Sequence, residues 1–239
     1  MILIRSLLYL SSMVISTIIM AGLLSIVGWI LPYRQRCQIA NAWGGVNLWF
    51  LKLFCNLDYQ IEGLEKIPES GAIVLAKHQS AWETMALRSL LPPEQAWVLK
   101  RELMWVPFFG WAAATVQPIA INRKAGRKAA KQVIDTGIER LKQKRLIVIF
   151  PEGTRVAPGQ RKRYGMGGAL LAEKTGAPVI PIAHNAGSFW KRRDIRKYPG
   201  TVIVKVGDPI PTTGRKAAEI NQEVENWIET TMQQIQPQE

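Results

Sequence analysis

His78 and Glu83 stand five residues apart in the stretch Ala76-Lys77-His78-Gln79-Ser80-Ala81-Trp82-Glu83. A base must be held as well as present. If His78 ends a strand-to-helix loop and Ser80 caps the helix that follows, Glu83 falls in the first turn and can fold back toward the imidazole. A carboxylate on one ring nitrogen fixes the tautomer and leaves the other nitrogen free to take a proton. An ordinary loop histidine beside a helix-start carboxylate has the same appearance, so the choice falls to the rest of the chain.

Three further stretches lie at the ends of apolar runs. Lys100 follows one run, Gly110 follows the pair Phe108 and Phe109, and Arg123 follows the next run, which would place two cations near one crevice. In Phe150-Pro151-Glu152-Gly153-Thr154-Arg155 an apolar strand meets a proline that stops the ladder and a glycine that lets the backbone turn. Glu152 and Arg155 are thereby presented at the strand mouth, where an arginine fork suits phosphate. Val179 to Ala183, with Pro181 inside it, reads as a buried, mainly structural strand. The other histidine, His184, has no Asp, Glu, Cys or His near it in sequence, so no metal-ligand cluster is legible.

These residues need a scaffold. Short apolar runs at Tyr59 to Ile61, Gly71 to Ala76, Ala96 to Lys100, Val116 to Ile121, Leu146 to Phe150, Pro178 to Ala183 and Thr201 to Val206 read as strands. Helical patterns at Ser80 to Leu91, Lys124 to Gln143, Met166 to Lys174 and Arg215 to Gln234 lie between or after them. The alternation predicts an α/β fold, a largely parallel central sheet flanked by helices, with its chemistry beyond the carboxyl ends of the strands. Residues 58–239 form this domain in the reading, and residues 1–57 form an N-terminal membrane-embedded helical segment.

That segment explains the charge. From Ser6 to Leu31, 26 positions carry no charged residue, long enough for a helix to cross the hydrocarbon core. Pro32 ends the run, and Arg34 and Arg36 follow, placing the bulk of the protein on the cytoplasmic side. Cys37 to Leu57 is again apolar and makes either the second half of a hairpin or an interfacial helix. The net charge of +13 suits an anionic membrane or a phosphorylated substrate. Nucleic acid is disfavoured because the cations form no recognisable reading module. The two cysteines, Cys37 and Cys55, form no disulfide framework, which fits a reducing compartment.

Together the four stretches resemble the glycerolipid acyltransferase family, in particular bacterial 1-acylglycerol-3-phosphate acyltransferases. The matching blocks are His78 to Glu83, Gly110 to Arg123, Phe150 to Arg155 and Val179 to Ala183. The first ends in glutamate where the family most often has aspartate. The resemblance implies a bacterial inner-membrane enzyme that moves an acyl chain from acyl-CoA or acyl carrier protein to lysophosphatidic acid, with membrane lipids as its surroundings and no bound cofactor or metal. It implies His78 as base, Glu83 as its orienting carboxylate, Arg155 with Lys100 and Arg123 on the acceptor's phosphate, and Glu152 at the acceptor's polar end, with Gly153 making the turn. Leu103, Trp105, Phe108, Phe109 and Trp111 would then line an acyl groove or touch the membrane. Another lysophospholipid, glycerol 3-phosphate or a lipid amine is the alternative acceptor. A non-enzymatic basic membrane scaffold would leave the coincidence of the blocks unexplained.

Overall fold

The computed structural model describes residues 1–235. Its centre is a sheet of seven strands in the order β1-β7-β6-β2-β5-β3-β4. These are β1 (Leu57–Glu62), β2 (Ile73–Ala76), β3 (Gln95–Lys100), β4 (Ile119–Ile121), β5 (Leu146–Ile149), β6 (Val179–His184) and β7 (Gly200–Val206). All neighbours run parallel except β6 and β7, whose antiparallel pairing starts at Ile182, one residue past Pro181. The central strands β2, β5 and β6 are buried along their whole length, as continuous apolar runs require when both sheet faces are covered.

The helices are α1 (Ile2–Val27), α2 (Tyr33–Cys55), α3 (Trp82–Leu90), α4 (Phe109–Thr115), α5 (Arg127–Lys142), α6 (Gly167–Thr175), α7 (Ala186–Phe189) and α8 (Ala217–Ile235). Alternate residues of each strand serve opposite faces. Val74, Ala76, Val148, Ile180 and Ile182 pack with α1, α2 and α3, whereas Ile73, Leu75, Ile147, Ile149 and Val179 pack with α5, α6 and α8. All seven expected strands and the four expected helices are present. Helix α4 was not anticipated, because its Gly110-Trp111-Ala112-Ala113 sequence has too few polar positions to show a helical period.

Helices α1 and α2 pack antiparallel: the Ser16 hydroxyl lies 3.1 Å from Asn47 Oδ1, and the Trp43 indole donates to Thr17 Oγ1 at 3.2 Å. The pair is docked on the α/β domain. Ser6 Oγ accepts the Lys197 N–H at 2.9 Å, and Tyr9 stands edge-on to Trp190 at 5.6 Å. Among the described residues α1 alone is long and apolar enough to cross a membrane, and only 11% of its most apolar window is buried in the protein. A soluble core helix would be mostly covered; this candidate membrane segment leaves an apolar side open, where Ile4, Leu8, Ile15 and Ile19 are all more than half exposed.

Helix α2 reaches α3 through the stripe Cys37, Ala40, Gly44, Leu48, Leu51 and Cys55, a spacing of three to four residues. Gly44 lets the two backbones approach: a Cβ there would stand 2.5 Å from Met85 O and 3.1 Å from Ser89 Cβ. Gly44→Leu should therefore wedge α2 away from α3 and destabilise the protein by about 1–3 kcal/mol. Thermal unfolding in detergent is the check, and a midpoint equal to that of the wild type would contradict the close approach.

Candidate active site

Strand β2 ends at Ala76, and Lys77 is still held to the sheet by its N–H, which donates to Ile182 O at 2.9 Å. His78 comes next, clamped by the loop that follows β5. Its N–H donates to Glu152 Oε2 at 3.1 Å, its carbonyl accepts the Val156 N–H at 2.8 Å, and its ring stacks on Phe150 with 4.1 Å between centroids. Nδ1 lies 2.7 Å from Glu83 Oε1. An ionised carboxylate only accepts, so Nδ1 carries the proton and Nε2 has a free lone pair.

The capping expected of Ser80 is replaced by another arrangement. Helix α3 starts at Trp82 and Ser80 Oγ accepts the Trp82 N–H at 3.2 Å, two residues on, as a turn rather than a helix cap. Glu83 itself takes the free N–H groups. Its Oε1 accepts from Gln79 at 2.9 Å and from Ser80 at 2.8 Å while it also holds His78, and its Oε2 accepts from Ser80 at 3.0 Å. Glu83 has no exposed surface. Burial by itself pushes its carboxyl up, but the His184 and His78 imidazoles and the Ser80 N–H more than offset this, and the group ends below its ordinary range.

His184 was not singled out from the sequence, since its partners are distant in the chain. Strand β6 lies beside β2, so the His184 ring meets the loop: Nε2–H donates to Lys77 O at 2.8 Å, and Nδ1 accepts the Ala186 N–H at 3.3 Å. Complete burial pushes this imidazole below its ordinary range against the pull of Glu83, whose Oε2 is 3.9 Å from Nε2. A neutral, fully engaged His184 braces the loop.

His78 opens into a cleft of about 470 Å³, a common size for a ligand site. It is lined by the cations Arg88, Lys100, Arg123, Arg155 and Arg192 and by the apolar side chains of Met20, Leu24, Trp43, Leu103, Phe109 and Val116. The three expected cations thus meet, joined by Arg192, which is inconspicuous within the run Lys191-Arg192-Arg193. Arg123 donates to Gly153 O at 2.8 Å, and Arg192 donates to Arg155 O at 3.1 Å, so the cations also tie the β5 loop together. Gly153 is needed for its φ of +67°, not for space, because a Cβ there would meet nothing within 4 Å. Of the expected apolar contacts, Leu103 and Phe109 line the cleft, whereas Trp105, Phe108 and Trp111 lie outside it at 66%, 60% and 54% exposure. Phe108 sits against α1, where Ser25 Oγ donates to Phe108 O at 3.1 Å, and its ring meets that of Trp111; exposed aromatic side chains of this kind suit membrane contact.

The Glu152 side chain turns inward, 3% exposed, to the His78 N–H and to Lys77 Nζ at 3.1 Å. Burial pushes its carboxyl up to about 7 against the pull of Lys77, with Glu229 pushing the same way as burial.

Comparison with known proteins agrees with this geometry. The chain is 44% identical to a 1-acyl-sn-glycerol-3-phosphate acyltransferase of Pseudomonas aeruginosa, over 87% of this chain and 82% of that protein. It is 28% identical to the human 1-acyl-sn-glycerol-3-phosphate acyltransferase beta, over 72% of this chain and 64% of the human protein. The crystal structure of the 1-acyl-sn-glycerophosphate (LPA) acyltransferase of Thermotoga maritima superposes with a TM-score of 0.80 at 23% identity, over 98% of this chain and 95% of that one, and so shares the fold. The acyltransferase family model matches residues 58–185, more than half of the 239 residues and the part that holds the His78 loop, the β5 loop and β6. This chain belongs to the acyltransferase family.

Proposed function

We infer that this chain acylates the sn-2 hydroxyl of 1-acyl-sn-glycerol 3-phosphate, giving phosphatidic acid, with acyl-CoA or acyl carrier protein as donor. One observation carries the reading: His78, with its tautomer fixed by a buried carboxylate, opens into one cleft lined both by cations and by apolar side chains. An amphiphile with a phosphate and an acyl chain matches such a lining. The relatives named above act on such an acceptor.

In this mechanism His78 Nε2 removes the hydroxyl proton as the oxygen attacks the thioester carbonyl. Collapse of the tetrahedral intermediate expels the thiolate, which takes that proton back from the imidazolium. The new ester bond replaces the thioester bond and no redox change occurs. Glu83 stabilises the transient imidazolium through Nδ1–H. Arg155 holds the acceptor's phosphate, with Lys100, Arg123 and Arg192 beside it. The thioester is already activated, so the chemistry calls for no metal or cofactor. The chain sits in the bacterial inner membrane with its basic domain on the cytoplasmic side, a placement supported by Arg34 and Arg36 immediately after the apolar helix.

Purified protein offered both donors and a panel of acceptors tests the assignment. Lysophosphatidic acid should be the preferred acceptor, and faster turnover of an acceptor without a phosphate would overturn it. In the same assay His78→Ala should lower the rate by roughly 10² to 10⁴. Arg155→Ala should act differently, raising the KM for lysophosphatidic acid by about tenfold or more through loss of a charge-assisted contact. If Arg155→Ala changed kcat alone, phosphate binding would have to be assigned elsewhere.

A further inference from the structure

Beneath the His78 loop lies a buried charge cluster that faces away from the cleft. Lys77, 1% exposed, places its Nζ 2.6 Å from Glu229 Oε1 and 3.1 Å from Glu152 Oε1. The Tyr164 hydroxyl donates to Glu229 Oε1 at 3.0 Å, and Arg161 Nε approaches Glu229 Oε2 at 3.5 Å from the rim. Glu229 belongs to α8, beyond the residues 58–185 that the family model matches.

Burying such a group is favourable only where its partners compensate its lost hydration, and a buried ion pair is in itself weak support for stability. Here one ammonium serves two carboxylates, and Glu152 Oε1 makes no well-formed hydrogen bond despite its closeness to Lys77. The arrangement is better explained by what it holds. Lys77 directly precedes His78, and the other oxygen of Glu152 accepts the His78 N–H. The cluster therefore grips the main chain at two consecutive residues. The Phe150 ring lies against the imidazole from the same loop as Glu152, and His184 takes the Lys77 carbonyl from the side of β6. A shift of Lys77 or of Glu152 would move the imidazole relative to any bound hydroxyl.

We propose that Glu152 and Glu229 are positioning residues for His78, Glu152 through the His78 N–H and Glu229 through Lys77, so that helix α8 sets the geometry of the base from the far side of the loop. The proposal rests on the reading of His78 as the base. It excludes a contact between Glu152 and the acceptor, and it gives the C-terminal helix a part in the reaction rate without a place in the cleft.

The test uses the full chain in detergent, with kcat and acceptor KM normalised to folded protein by thermal unfolding of the same samples. Wild-type turnover of lysophosphatidic acid tests the assigned function separately, and the variants are compared on whichever acceptor the wild type prefers. Glu152→Ala should lower kcat about tenfold to a hundredfold with KM within about twofold, because the buried His78 N–H loses its acceptor. Glu152→Gln, whose amide oxygen can take that N–H, should recover most of the loss. Glu229→Gln should lower kcat by about tenfold at unchanged KM, and should have no additional effect once Lys77→Met is present. A raised KM with wild-type kcat in Glu152→Ala would make Glu152 an acceptor contact and overturn the proposal. A wild-type kcat in Glu229→Gln, or equal additive losses with and without Lys77→Met, would overturn the part assigned to α8. Should Glu152→Ala fail to fold, Glu229→Gln carries the test: a normal kcat refutes the proposal, and a lowered kcat at constant KM supports it.

Discussion

The site depends on a carboxylate that water cannot reach. Glu83 has no exposed surface, and an ionised group so placed is tolerable only if donors surround it. The Gln79 and Ser80 N–H groups and the His78 Nδ1–H meet that demand, which forces the chain from Lys77 to Ala81 to curl around the carboxylate before α3 begins. The conformation of the loop is thus the solvation shell of Glu83, and the orientation of the base follows from it. The glutamate arm, one methylene longer than the aspartate usual at this position in the family, reaches the imidazole and the backbone donors from the first turn of α3.

Sheet order decides what can surround this loop. Strand β2 lies between β5 and β6, so the segments that leave those two strands arrive on either side of His78. From β5 come the Phe150 ring, the Glu152 carboxylate and the Val156 N–H; from β6 comes His184. Residues 107 positions apart, His184 and Lys77, become hydrogen-bonded through strand pairing alone. The carboxyl ends of β3, β4 and β5 also gather Lys100, Arg123 and Arg155, the cations that follow them, as expected at the open end of a parallel sheet.

Local patterns made the scaffold legible. Short apolar runs, several of them continuous, marked the seven strands, and turn chemistry at Pro151 and Gly153 marked the loop after β5. The five-residue spacing of His78 and Glu83 was readable because the loop that holds one runs directly into the first turn of the helix that holds the other. Other features were hidden because their causes are tertiary. His184 and Glu229 have no chemical company in sequence, and Lys77 was passed over although a charged residue at the end of a buried strand is itself a signal that a counter-charge lies within. The direction of the Glu152 side chain was hidden for a related reason. A carboxylate at a strand mouth can face solvent or the neighbouring strand's loop, and only the position of the His78 N–H decides between them.

The membrane segment enters the site by the same logic of shared walls. Met20 and Leu24 from α1, with Ala40 and Trp43 from α2, form part of the wall of the cleft that His78 opens into. The opposite side of α1 is exposed and apolar, so one helix presents one face to the cleft and another to lipid. The docking contacts of α1 at Ser6 and Tyr9 therefore have a functional consequence, since they fix the wall of the cleft as well as the attachment of the helix. Anchor and catalytic domain cannot be treated as independent parts, because the cleft is closed only when both are in place.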